Sequence, residues 1–452
     1  MIVERPGRAF SPRLTGHTDA MPRRRRPPLD DTVGLPLDGY AWLPGLWRRA
    51  GARDAVHTRV MGRRAVALRG PEAVRFFYDE SHVRRAAIPE PVQGTLFGHG
   101  AIHTLDGEDH RNRKAMFLSL LTDPGRVAKL VQHAGQAWDE AAEGWAAQPS
   151  VVLFDEAAKI ITRAVCDWAG VPLHRGEVAR TAADLTAMVD GFATLGPRHW
   201  RARRARGRRE RWLTTLIEQV RAGTTSVPPG SILEVVAHHI GTDGALLEPK
   251  RAAVELLNII RPTVAVSWFV AFMGHALHCR PEQRNPLRDG DLAYSVAFAQ
   301  ELRRFYPFAP FVGGRAARDL TWRGVQIPAG SLVLLDIYGQ NHDAALWPEP
   351  YRFDPQRFVG RAPDRDELIP QGGGDARTGH RCPGEDVTLA LLSAFATRLA
   401  RLDYDVPDQD LTISLRRIPA LPASRFVMTV RNPAPAPKRE HGESVFAQWS
   451  DT

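Results

Sequence analysis

Gln371-Gly-Gly-Gly-Asp-Ala-Arg-Thr-Gly-His-Arg-Cys-Pro-Gly-Glu385 is the stretch on which the reading of this chain turns. A single cysteine, Cys382, closes a glycine-rich run and stands just before an apolar helical pattern, Glu385 to Arg401. Glycines let a chain turn tightly and approach a flat ligand closely. A helix that begins just past Cys382 brings the positive end of its dipole toward the sulfur and favours the thiolate. Pro383 suits a helix start. His380, Arg377 and Arg381 offer cationic partners for the acid groups of such a ligand. On these residues alone two readings stand. One is a thiolate that ligates the metal of a flat cofactor; the other is a pliant glycine loop with an inert cysteine.

The rest of the composition narrows the class. The chain has 452 residues, 43% of them hydrophobic, which is enough for a large core. Its cysteines, Cys166, Cys279 and Cys382, form no short-spaced pair, which excludes a disulfide scaffold and fits a reducing, cytoplasmic setting. The formal charge of +9 comes mostly from arginines spread along the chain. The densest basic run, Arg198 to Trp212, reads as a solvated helix face rather than a nucleic-acid patch. The apolar stretch Ala252 to Cys279 contains Glu255, Arg261 and Pro262 and reads as a buried helix, not a membrane span.

Three segments follow: a basic, flexible arm over 1–37, one domain over 38–431, and a proline-rich disordered tail over 432–452. Within the domain, hydrophobic periodicity predicts helices at 108–121, 124–147, 155–169, 177–195, 199–222, 231–240, 249–277 and 292–305. Strands are expected within 56–68 and at 313–318, 321–327 and 332–337, with a short helix at 71–78 and a terminal hairpin over 411–431. The fold class is mainly α with a minor β part.

The Cys382 loop resembles the haem-ligand signature of the cytochrome P-450 superfamily. Three further motifs agree in order along the chain. Glu301-Leu-Arg-Arg304 is similar to the family's Glu–Arg helix pair, whose spacing sets both side chains on one helix face. Phe353-Asp-Pro-Gln-Arg357-Phe358 resembles the element whose arginine joins that pair in a buried cluster. His110, Arg113 and Lys114 resemble helix residues that contact haem propionates, a role the resemblance also gives His380 and Arg381. It covers roughly residues 38–431 and implies one haem-thiolate domain, with haem b ligated by Cys382. Where the superfamily usually has Phe, seven residues before the cysteine, this chain has Asp375.

Asn258-Ile-Ile-Arg261-Pro262-Thr263 occupies the helix that crosses the haem in this family. Oxygen-activating members carry an acid before the threonine; here none precedes Thr263. A guanidinium in an apolar helix is costly unless paired, and Pro262 removes a backbone donor. Arg261–Pro262 resembles the pair of the fatty-acid peroxygenase branch, which implies that Arg261 clamps a substrate carboxylate and that this carboxylate replaces the missing acid. Thr95-Leu96-Phe97-Gly-His-Gly-Ala-Ile-His103 resembles the branch's distal loop. Histidine at position 103 implies mixed products, terminal alkenes with α- and β-hydroxy acids. By the same resemblance Leu96, Phe97, Phe308 and Pro310 line the alkyl chain.

The function expected is therefore hydrogen-peroxide-dependent oxidation of long-chain fatty acids with no dedicated redox partner. The alternatives are a ferredoxin-fed haem-thiolate monooxygenase, which the missing acid disfavours, and a non-catalytic haem and lipid carrier.

Overall fold

The computed structural model describes residues 30–51, 55–85, 88–192 and 194–432. Most of the expected arm, and the tail beyond residue 432, lie outside them. The last residues of that arm pack on the domain: Asp30 bridges Arg59, and the Asp31 carboxylate accepts the Trp42 indole N–H at 3.1 Å.

A small sheet forms one side of the molecule. Strands β1 (Val56–Val60) and β2 (Arg63–Leu68) make a hairpin whose turn residues Met61 and Gly62 both have positive φ, the backbone that a tight two-residue turn needs. β3 (Val83–Arg84), β4 (Val312–Ala316) and β5 (Leu332–Leu335) complete it in the order β1-β2-β5-β4-β3. The segment read as a strand over 321–327 is instead two strands, Leu320–Trp322 and Val325–Ile327, reversed at Arg323 and Gly324.

Helices make the remainder. Those that build the site are α1 (Gly107–Leu121), α2 (Val178–Asp190), α3 (Pro197–Arg221), α4 (Pro249–Val264), α5 (Val266–Cys279), α6 (Leu292–Phe305) and α7 (Glu385–Arg401). Gly191 ends α2 before the expected 195, and the helix expected over 231–240 is only Ile232–Ala237, with Ser231 as its cap.

The helix expected over 249–277 divides at Ala265, three residues after Pro262. Pro262 has no N–H for the Asn258 carbonyl, and the ladder changes step where that bond is missing. Joined end to end, α4 and α5 are long and apolar enough to cross a bilayer, yet 94% of their most apolar window is buried inside the protein. Of the terminal hairpin expected over 411–431 only a short antiparallel contact forms, an isolated bridge between Ile413 and Pro422 beside which the Ala423 N–H donates to the Thr412 carbonyl at 3.1 Å. Only Val427–Asn432 is a strand, and it pairs with Val151–Val152 and Asp403–Asp405. Pro419 and Pro422 lack the N–H groups a partner strand would need.

Candidate functional site

Buried ionic anchors place the Cys382 loop. On α6, Glu301 and Arg304 form a two-armed pair at 2.6 and 2.8 Å, both essentially inaccessible. Arg304 also donates to the carbonyls of Asn341 and Pro350 at 2.8 Å, and Arg357 approaches Glu301 at 3.7 Å. Arg303, to which the sequence assigned nothing, bonds Glu385 at 2.5 Å, and Glu385 bonds Arg381 at 2.7 Å. This chain ties α6 to the residues on either side of Cys382. Arg381 is therefore committed to Glu385 and to the Arg365 carbonyl, rather than free for a ligand's acid group.

Around the sulfur, the Gln371 side-chain amide donates to Cys382 Sγ at 3.6 Å and to Thr388 Oγ1 at 3.1 Å. Asp375, at the position where Phe was noted as usual, caps the loop: its carboxylate accepts the Arg377 and Thr378 N–H groups at 2.5 and 3.3 Å. Burial pushes the Cys382 thiol up and Lys114 down to about 8. Lys114 Nζ donates to the Arg381 carbonyl at 2.5 Å.

A second cluster lies beside the loop. His110 stacks on His380 with ring centroids 3.9 Å apart. Arg85 Nε and Nη1 and His110 Nδ1 are buried without a hydrogen-bond partner among the described residues, and His380 Nε2 faces the Asp106 carboxylate at 3.6 Å. Glu80 Oε1, also unpartnered, lies 3.8 Å from both imidazoles. Burial drives the His110 pKa down to about 3 and lowers that of His380. Buried donors of this kind call for an acceptor from outside the chain. A haem ligated by the nearby sulfur would bring two propionates, so the residues fit that cofactor. Arg113, grouped with His110 and Lys114 from the sequence, does otherwise: it bonds Glu255 at 2.6 Å and the Gly100 carbonyl at 2.5 Å.

On the other side stands α4. Arg261 is 4% exposed, and one of its nitrogens donates to Asn258 Oδ1 at 3.1 Å. Its Nε has no partner, and no carboxylate pairs with it among the described residues. Burial and the Arg206 charge lower its pKa to about 9, while the Cys382 charge acts the other way. Its guanidinium lies 5.7 Å from the Phe97 ring centre, and Phe97 stacks on His103 at 4.2 Å. Burial and the Arg261 charge hold the His103 pKa well below its usual value, so the imidazole is neutral. Thr263 Oγ1 donates to the Ile259 carbonyl at 2.8 Å, which occupies the hydroxyl within the helix.

Phe308 packs against Phe269 and Trp268 of α5, at 5.3 and 6.2 Å between ring centres. Leu96 is held through its carbonyl by Arg206 at 2.5 Å, and the Pro310 carbonyl accepts the Tyr338 N–H at 3.1 Å. Sequence reasoning passed over Gln371, Arg85, Asn258 and Arg206. Only Asn258 carried a signal, a polar residue three positions before Arg261 on an apolar helix.

A cysteine held between a glycine loop and a helix start, with buried donors lacking acceptors to one side, defines a haem-thiolate protein. Residues 289–418 match the family model described as Cytochrome P450. Among solved structures, cytochrome P450SP alpha (CYP152B1) in complex with (R)-ibuprophen is 42% identical, covering 88% of this chain and 98% of that one with a TM-score of 0.85. Cytochrome P450EX alpha (CYP152N1) with myristic acid is 36% identical, covering 90% and 99%, TM-score 0.85. A variant of cytochrome P450 OleT in complex with arachidonic acid is 34% identical, covering 91% and 98%, TM-score 0.86. Cytochrome P450 4A7 of Oryctolagus cuniculus is 31% identical over 183 residues, 37% of this chain; the chain spans about a third of that relative's length (34%). The chain belongs to the cytochrome P450 family, within the branch to which the three CYP152 structures belong, and its cofactor is a cysteine-ligated haem b.

Proposed function

We propose that the protein oxidises long-chain fatty acids with hydrogen peroxide, by α/β-hydroxylation, by oxidative decarboxylation to terminal alkenes, or by both, without a redox partner. The observation that carries this reading is Arg261, a buried guanidinium with an unpartnered Nε and no carboxylate beside it among the described residues. An uncompensated buried charge costs stability, and a ligand that answers it recovers that cost. A fatty-acid carboxylate is the complementary group, and two of the similar structures hold myristic acid and arachidonic acid.

In this reading Cys382 ligates the iron, and the His110–His380 pair with Arg85 and Lys114 receives the propionates. Held there, haem b would supply iron chemistry that uses peroxide as a two-electron oxidant toward a substrate C–H bond. Arg261 binds the carboxylate through charge-assisted hydrogen bonds and fixes the head of the substrate. With the head fixed, the first two carbons of the chain are the ones brought to the reacting position. The clamped carboxylate also supplies the acid–base group that α4 lacks next to Thr263, whose hydroxyl is bonded inside its own helix. Neutral His103 offers an N–H donor beside that carboxylate, and Phe97 closes the wall behind it.

The test is single-turnover product analysis by mass spectrometry. Holoenzyme is mixed with a C14 or C16 fatty acid and peroxide, with no reductase. Alkene or α/β-hydroxy acid is expected. Product formed only with NADPH and an electron-transfer partner would replace this reading with the monooxygenase.

A further inference from the structure

Glu255, Asn258 and Arg261 interrupt the apolar surface of α4 at intervals of three residues, which sets them in one row along the helix. Each holds part of the 97–103 loop. Glu255 Oε1 accepts the Ile102 N–H at 2.8 Å and the Arg113 guanidinium at 2.6 Å. Asn258 Nδ2 donates to the Phe97 carbonyl at 2.8 Å. Arg261 lies against the Phe97 ring, on which His103 stacks. Phe97 and His103 therefore stand in fixed register with Arg261, because one helix anchors all three.

Asn258 is the neutral member of the row and is 3% exposed. Its partners fix the orientation of its amide: the Phe97 carbonyl and the Glu255 carboxylate require the NH2 end, and the Arg261 guanidinium requires the oxygen. An amide meets both demands without cancelling the guanidinium's charge. A carboxylate in the same place would form an internal ion pair with Arg261 and compete with any ligand for it.

We propose that Asn258 is a positioning and specificity residue for carboxylate recognition: it orients the Arg261 guanidinium, leaves its charge available, and ties the Phe97–His103 wall to it. This inference rests on the reading of Arg261 as the carboxylate clamp. Nothing in the reaction itself requires an amide at this position; the requirement comes from the two opposed hydrogen bonds.

The test compares two ligands that differ only in the head group, myristic acid and tetradecan-1-ol, by equilibrium titration of the haem spectrum of the holoenzyme. In the Asn258→Asp variant, myristate affinity is expected to fall at least tenfold while alcohol affinity stays within about twofold of wild type. In the Asn258→Leu variant, close in volume but without either hydrogen bond, myristate is expected to bind severalfold more weakly and the alkene-to-hydroxy-acid ratio to change. An intact thiolate-haem spectrum establishes that each variant is folded, and the leucine variant carries the test if the aspartate variant does not load haem. Myristate binding within twofold of wild type in the folded variants would overturn the assignment of Asn258. A wild-type protein that binds acid and alcohol equally would instead overturn the reading of Arg261, so the two failures are told apart.

Discussion

His103 lies in an environment that keeps its imidazole neutral, through burial first and the Arg261 charge second. Its folded pKa lies well below 6.5, so the ring stays neutral between pH 6 and 8, with one nitrogen an N–H donor and the other an acceptor. The alkene share of the product is therefore expected to be flat across that range; a transition centred near pH 6.5 would contradict it. His103→Gln keeps a donor but removes the ring that stacks on Phe97, and is expected to lower the alkene share, read from product ratios. At the sulfur, Gln371→Leu removes one neutral hydrogen bond to the thiolate. Such bonds stabilise the more electron-rich state, and one of about 1 kcal/mol corresponds to roughly 40 mV. The haem reduction potential is expected to fall by about that amount, measured by spectroelectrochemical titration. Of these residues, Arg261 and Cys382 were legible in the sequence because each breaks a local rule: a charge beside a proline in an apolar helix, and a lone cysteine in a glycine run. Gln371 breaks none, and its bond to the sulfur arises only when residues 371 and 382 meet in the folded loop.

At the level of elements, the helices read well because their periodicity is local. α6 and α7 begin and end where the pattern placed them. Some misreadings are local, at Pro262 and at the Arg323–Gly324 turn, and others fall where a non-local partner decides. The chain from 411 to 426 has strand-like alternation, but the strand that follows it pairs with 151–152 and 403–405 instead. The Glu301–Arg304 pair was visible as a spacing, whereas its links to the carbonyls of Asn341 and Pro350 were not. These links make the pair an anchor rather than a surface contact. Arg304→Ala would leave Glu301 charged, buried and without its closest partner, and is expected to destabilise the holoenzyme by about 3–5 kcal/mol in denaturant unfolding. A loss under 1 kcal/mol would show that the cluster is dispensable.

Across the whole molecule, most arginines of the basic run are held by carboxylates, although four acids serve its eight arginines. Asp190 takes Arg198, Arg201 and Arg417, with the closest approach 2.6 Å to Arg417, and Asp184 takes Arg208 and Arg209. Arg203 pairs with Glu90 and Arg206 with Glu210. The sequence suggested a solvated positive face; the structure has a brace between α2 and α3, invisible beforehand because its acids lie elsewhere in the chain. The pairing still leaves a positive excess, so the association rate of a fatty-acid anion is expected to fall severalfold between 50 and 500 mM salt in stopped-flow binding; a flat rate would show that the run does not steer the substrate. The unpaired guanidinium of Arg261 has a different consequence. Folding traps a charge that the empty protein leaves uncompensated, so any ligand that answers it shifts the unfolding equilibrium. At a hundred times its dissociation constant such a ligand contributes about 2.7 kcal/mol. Melting temperature should therefore rise with carboxylates and little with matched alcohols, which ranks chain lengths without any turnover. Arg261→Leu should make the ligand-free protein more heat-resistant than wild type and indifferent to fatty acids, a molecule improved as a fold by the loss of its purpose.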